Sequence, residues 1–432
     1  MRLICAVVFF FPFLLHAMSV SKPSSMKKKF DLVIFGATGF TGKLAAEYVH
    51  AQYPGIKYAL AGRSLTKLES VRDSLGDKNI PLLVADAQDS AALDQLAASA
   101  KVVANYAGTP FLDKALPVIE ACTRHGTCYV DITGEIALHR ASYDRYHEAA
   151  IKSKSLIIHS TGYDSIPSDL GAMLAADAMK KRHGCKCKSI QLVAGESKGG
   201  VSGGTFYTGL GLMFGSQDLP GMKEVKELGC YGLDPKGASR GPDTSDTVSS
   251  VEYDQVSGGY VVPFIMAPAN SPVVRKSNAI FGYRYGRTCS YREVAAVPSW
   301  LAGVASLGFL GLFGLLVTFP PTRWLLMKTV LPKPGQGPSK KVREEGCFES
   351  LIYAVGDGTD EEPKKTVAYV RSGTSGDPGY KSTAQMSVEA ALCMALQREK
   401  CHPEGGVLTP ATGLGMLLVD RLNVSGMELG VK

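Results

Sequence analysis

The segment from Phe30 to Gly42, Phe-Asp-Leu-Val-Ile-Phe-Gly-Ala-Thr-Gly-Phe-Thr-Gly, constrains the fold of this chain more than any other. Apart from Asp31 its first six residues are apolar, and Val33 and Ile34 are β-branched. A short apolar run that stops at glycine suits a strand buried on both faces of a parallel sheet. Glycines follow at 36, 39 and 42, and a helix-like pattern begins. Gly36 permits the tight turn off the strand, Gly39 lets backbone approach a pyrophosphate, and Gly42 lets the helix pack closely on the sheet. The helix start, through Phe40 and Thr41, offers N–H groups and the positive end of a dipole to phosphates. The spacing G-x-x-G-x-x-G is looser than the strict dinucleotide fingerprint, so the strand before it and the helix after it carry the weight. Gly36, Ala37, Thr38, Gly39, Phe40, Thr41 and Gly42 are therefore the candidate cofactor loop. The competing reading is a structural turn in a doubly wound sheet with no ligand.

A chain of 432 residues has length for two domains. Its formal charge of +7 is modest and spread along the sequence. That is no nucleic-acid footprint, and it fits anionic phosphates or an anionic membrane surface at least as well. The ten cysteines are scattered. Cys185 and Cys187 are too close for a zinc knuckle, and no metal site is expected. Residues 1–25 form a leader, with an apolar run over 3–15 that reads as a signal or short anchor. A start at Met26 is the plainer alternative.

Strands and helices then alternate, which predicts an α/β Rossmann-type doubly wound parallel sheet over 28–165. A helix over 40–53 leads to a strand over 57–62 that ends in Gly62-Arg63-Ser64. That position decides the cofactor. An acidic residue there would bind a ribose 2′-OH, whereas Arg63 with Ser64 beside it suits a 2′-phosphate. NADP(H) is therefore expected, unless Arg63 only stacks on adenine. A helix over 64–75 and a strand over 81–85 lead to Asp86, which borders the adenine or caps the next helix. The strand over 101–106 ends in Ala107-Gly108-Thr109-Pro110, and Gly108 lies at the switch point where backbone can pass close to a nicotinamide ribose. Asp131, in the fifth strand over 128–132, and Glu135 beyond it read as a buried acceptor and a helix-start acid or as an acid–base pair. After a sixth strand, Leu156 to His159, the loop Gly162-Tyr163-Asp164-Ser165 carries the candidate catalytic groups. Tyr163 could donate a proton, Ser165 could polarise a carbonyl, and Asp164 could orient either. Ser168-Asp169 reads as the cap of the helix that follows.

Residues 166–432 read as a second, α+β domain. A glycine-rich loop over 199–205 lacks the lysine of a P-loop, so nucleotide hydrolysis is not expected. An uncharged apolar run from Trp300 to Phe319 is long enough as a helix to cross roughly 30 Å of hydrocarbon. Trp300 and Trp324, the only two tryptophans, flank it, and a second apolar stretch follows Pro320-Pro321. The segment 300–331 thus reads as a membrane or lipid-droplet hairpin, or else as a buried core helix. Lysines 328, 333, 340 and 341 and Arg343 would face anionic headgroups in the first case.

Taken together, Gly36 to Gly42, Ala61-Gly62-Arg63, Tyr129 to Glu135, Gly162 to Asp169, Ser202 to Thr205, Asp377 to Tyr380 and Gly405 to Pro410 resemble the saccharopine dehydrogenase-like oxidoreductase family. That family includes the mycobacterial trans-acting enoyl reductases. The chain departs from the family pattern where Thr109 separates Gly108 from Pro110. The resemblance implies an NADP-binding domain, a second domain for substrate and subunit contact (hence a possible homodimer), and lipid-droplet or membrane association in eukaryotic members. The expectation is an NADPH-dependent reductase of a lipid-type carbonyl or enoyl substrate at a lipid droplet or the endoplasmic reticulum. The alternatives are a non-catalytic NADP-binding membrane protein and a soluble saccharopine-type amino-acid dehydrogenase with 300–331 buried.

Overall fold

A computed structural model describes residues 28–108, 111–200, 221–238, 248–329, 336–356 and 363–432. The leader, Thr109-Pro110, the glycine-rich stretch 201–205 with the helix expected after it, and positions 330–335 lie outside the described residues. So do 239–247 and the tip of the charged hairpin at 357–362.

The first sheet forms as the apolar runs predict. β1 (Phe30–Phe35), β2 (Tyr58–Gly62), β3 (Leu82–Val84), β4 (Ala100–Asn105), β5 (Cys128–Asp131) and β6 (Leu156–Ile158) are separated by helices. These are α1 (Phe40–Gln52), α2 (Leu65–Leu75), α3 (Ser90–Ser99), α4 (Leu112–Arg124) and α5 (Ile136–Ser153). All the strands pair in parallel, with β1 between β4 and β2. The order therefore reverses at β1, and the crevice beyond the carboxyl ends of β1 and β4 is where such sheets take ligands. A seventh strand, β13 (Gly406–Leu408), joins in parallel beside β6, from the far end of the sequence. On sequence this stretch, Gly405 to Pro410, stands out only as part of the family resemblance. Three residues are too short to show a period, and a parallel pairing so distant in sequence leaves no local signature.

α6 (Ile166–His183) leaves the first sheet and is buried along most of its length. It packs against β11 (Cys347–Gly356) and β12 (Lys365–Arg371) of a second seven-stranded sheet. That sheet also contains β7 (Cys187–Lys198), β8 (Glu252–Asp254), β9 (Gly259–Pro263), β10 (Ser290–Val297) and β14 (Glu428–Val431), and it is antiparallel except between β7 and β10. A helix buried from Thr383 to Ala395, α12 (Thr383–Leu396), returns to pack on α1, β4 and β5. One apolar core thus runs from Leu32 and Ile34 of the first sheet to Ile352 and Val370 of the second.

The apolar run forms α9 (Trp300–Thr318), followed by α10 (Pro320–Thr329). Earlier in the chain, α7 (Met222–Leu228) packs on α5, and α8 (Ala267–Ile280) packs on α6 and β10. α9 is not a core helix, because only 11% of its most apolar window is buried. Leu301, Phe309, Leu312 and Leu315 are exposed along it, as are Phe319 and Trp324 beyond it. Near its start a Cβ on Gly303 would meet Val251 and Val262, and near its end Val317 is buried. The buried-helix expectation is therefore not met. The cause lies in the sequence: α9 is apolar all round, so no single face directs it inward.

Candidate functional site

Gly36 has φ +81° and ends β1; a Cβ there would overlap the Ala107 backbone after β4. A Cβ on Gly42 would overlap the Gly36 carbonyl. Both positions thus require glycine, the first for the turn and the second for the approach of α1 to the loop. Gly39 occupies the N-cap of α1 with no side-chain cap, and the first turn carries no acid. Its N–H groups are free of any competing side-chain acceptor, which fits a bound pyrophosphate. Ala37 is buried beneath the turn, while Thr38, Phe40 and Thr41 are half-exposed around it.

Arg63 projects from the end of β2 with 75% of its side chain exposed, and only a loose 3.9 Å ion pair ties it to Asp86. Ser64 caps α2 by accepting from the Lys67 amide. Asp86 accepts from the Gln88 amide in a local turn, and Asp89 rather than Asp86 caps α3. An exposed arginine at this position is available to a 2′-phosphate, and the capping Ser64 hydroxyl can still donate. Gly108 packs under Phe111, whose ring a Cβ would overlap.

The carboxyl ends of β4, β5 and β6 are joined by a buried polar chain. The Ala107 amide donates to Asn105 Oδ1 at 2.8 Å, and Asn105 Nδ2 donates to the Tyr129 hydroxyl at 2.9 Å. The Tyr129 hydroxyl donates to Asp131 Oδ2 at 3.0 Å, and His159 Nδ1 meets the same oxygen at 2.8 Å. Asp131 Oδ1 accepts the Thr133 and Ser160 amides. Ser160 is held with φ +54°, in the left-handed region, by that contact and by donating to the Thr133 carbonyl. Glu135 accepts the Phe111 and Leu112 amides, so it caps α4 across the crevice. Of the two readings of this carboxylate pair, the structural one holds. These contacts fix Ala107 beside Gly36 and tether the Phe111 and Leu112 backbone.

Ser165 is the N-cap of α6, is buried, and donates to Asn270 Oδ1 at 3.3 Å. Asn270 in turn donates to Glu293 at 2.9 Å. The cap expected at Ser168-Asp169 is therefore displaced to Ser165. Asp169 instead lies inside the core, accepting from Ser277 and from the Ala411 amide at the foot of β13. Tyr163 packs edge-on against Phe348, and its amide donates to Thr383. Burial raises its phenol to about 12. Asp164 differs from both neighbours: half-buried beside Gly134, it is pushed up to about 6 by desolvation, with no described hydrogen bond to oppose the shift. The loop thus carries one carboxyl raised by desolvation and commits Ser165 to a hydrogen bond with Asn270. Sequence reading missed Asn105, Tyr129 and His159, because polar residues inside buried strands look like noise in an apolar run.

A switch-point crevice with a glycine-lined helix start, an arginine at the end of β2 and a protonatable carboxyl nearby defines a dinucleotide-dependent oxidoreductase. Residues 32–158 match the family model described as the saccharopine dehydrogenase NADP binding domain. The trans-acting enoyl reductase of Mycobacterium bovis is 34% identical over 423 residues, 94% of this chain and 99% of its own. That of Mycobacterium leprae is 33% identical over 419 residues, 94% and 98%. A Mycobacterium tuberculosis protein provisionally named for the same activity reaches 37% over 418 residues, 93% and 97%. Saccharopine dehydrogenase (L-Glu forming) from Saccharomyces cerevisiae shares the fold with a TM-score of 0.53 at 12% identity, covering 93% of this chain and 99% of its own. The chain belongs to the saccharopine dehydrogenase-like oxidoreductase family, and its cofactor is NADP.

Proposed function

We propose that the protein reduces a lipid-type carbonyl or enoyl group with NADPH while seated on a membrane or lipid-droplet surface. The observation that carries this reading is α9, a 19-residue apolar helix left exposed beside a soluble α/β body. Exposed apolar area on this scale marks a membrane or partner contact rather than ordinary surface. The enoyl reductase names of the relatives support the reaction class.

Gly36 to Gly42 would hold the pyrophosphate, Arg63 and Ser64 the 2′-phosphate, and Gly108 the nicotinamide ribose. The bound cofactor supplies a hydride. Asp164, protonated below about pH 6, would release its proton to a carbonyl oxygen or to the α-carbon of an enoyl group. The substrate thereby gains one hydride and one proton. The buried chain from Asn105 to His159 keeps the crevice walls fixed and excludes water.

A non-catalytic NADP-binding tether is the second reading, supported by the structural commitment of Ser165 and the packing of Tyr163. The soluble dehydrogenase reading loses its premise, because it needs α9 buried. Incubating the full chain and NADPH with vesicles containing a long-chain enoyl thioester separates the first two. Consumption of NADPH that requires both substrate and Asp164 supports the reductase, and binding without consumption supports the tether.

A further inference from the structure

Two segments of the second domain meet Phe40, the first residue of α1, and a third packs on one of them. Tyr380 meets its ring edge-on at 5.2 Å. A Cβ on Gly337 would overlap the same ring, and one on Gly200 would meet Pro338. Arg343, in α11 (Lys340–Glu345), lays its guanidinium 5.4 Å from the ring centroid and donates to the Pro338 carbonyl at 2.7 Å. Arg343 is half-buried yet forms no ion pair with any described carboxylate. Asp377 feels its charge, but the carboxylate oxygens of Asp377 already accept the Tyr380 and Lys381 amides. A half-buried guanidinium with no direct ion pair to a described carboxylate, beside a helix start with no acid in its first turn, leaves a place for an anion to meet both.

We propose that Arg343 binds the cofactor pyrophosphate from the second domain, so that the strap Gln336–Arg343 closes the crevice over the glycine loop. This rests on the assignment of Gly36 to Gly42 as the cofactor loop. It assigns the second domain a share of the cofactor site, which the nucleotide-binding segment 32–158 does not contain. It also departs from the headgroup role expected of Arg343 on sequence. The strap follows α10 after residues 330–335, so grip on the cofactor and seating of the apolar hairpin act on one stretch of chain.

The test is titration of the full chain, in mild detergent, with NADPH and separately with NADH, followed by cofactor fluorescence. Arg343→Gln is expected to weaken both ligands by about tenfold or more, since both carry the pyrophosphate. Arg343→Lys keeps the charge but not the planar fork, and should fall between. NADPH should slow hydrogen exchange over 336–345 in the wild type and leave it unchanged in Arg343→Gln. That readout, together with an unchanged thermal transition of the cofactor-free variants, excludes a fold defect. Wild-type affinity in Arg343→Gln would overturn the clamp alone. So would a loss confined to NADPH, which would move Arg343 to the 2′-phosphate. A wild type that binds neither ligand would overturn the cofactor loop itself, and the clamp with it.

Discussion

At the scale of single residues, the proposed roles of Arg63 and Asp164 in cofactor choice and proton transfer rest on where their charges sit. Arg63 is exposed and only loosely paired, so it holds little of the fold. Arg63→Ala should weaken NADPH binding by about tenfold or more and leave NADH nearly unchanged, as read by titration with both. Asp164 is the desolvated carboxyl of the crevice. Its pKa is raised on folding, so the folded chain holds a proton that the unfolded chain releases between pH 4 and about 6. Stability therefore declines as pH rises through that window, and general-acid activity declines as pH rises through about 6. Asp164→Asn should remove that pH dependence and most of the turnover. It should also raise stability near pH 7 by about 1 kcal/mol, measured by denaturant unfolding at both pH values. A stabilised, inactive variant is the signature of a group kept for function at a cost in stability.

At the scale of elements, the buried chain at the ends of β4, β5 and β6 and the exposed α9 lead to opposite expectations. Asp131 is fully buried and receives Tyr129, His159 and two backbone amides. Asp131→Ala leaves those donors unsatisfied and should destabilise the fold by about 3–5 kcal/mol, with cofactor affinity falling as Asn105 and Ala107 lose their support. Thermal and denaturant unfolding check the first effect and titration the second. Phe309 and Leu312, by contrast, lie exposed on α9. Phe309→Lys with Leu312→Lys should leave the unfolding free energy of the body within about 0.5 kcal/mol and sharply reduce co-flotation with anionic vesicles.

The elements also show how far the sequence could be read. The strands from β1 to β6 and the helices between them were legible, because buried parallel strands are short apolar runs closed by glycine or polar turns. The turn at Gly36 and the placement of Arg63 at the end of β2 were legible for the same reason, since both follow from position at strand ends. The apolar hairpin was legible as an element but not as exposed, because composition says nothing of where an all-apolar helix goes. β13 and the α6 cap were not legible. A three-residue parallel strand has no period, and the cap moved to Ser165 because Asp169 found Ser277 and Ala411, which are 108 and 242 residues away.

For the whole molecule, the two sheets share one core, and the C-terminal segment returns to cover the first sheet. Cofactor crevice, second domain and apolar hairpin are therefore parts of one body, which suits reduction of a substrate dissolved in a lipid phase. The measurement that tests this most directly is hydride tracing. NADPH deuterated at the nicotinamide C4 position would be incubated with the full chain on vesicles containing a long-chain enoyl thioester or ketone, and the extracted lipid weighed by mass spectrometry. The account predicts one deuterium at the β-carbon or carbonyl carbon, lost with Asp164→Asn and reduced when Phe309 and Leu312 are changed to lysine. Vesicle-bound, NADPH-loaded protein that transfers no deuterium to either lipid would contradict it.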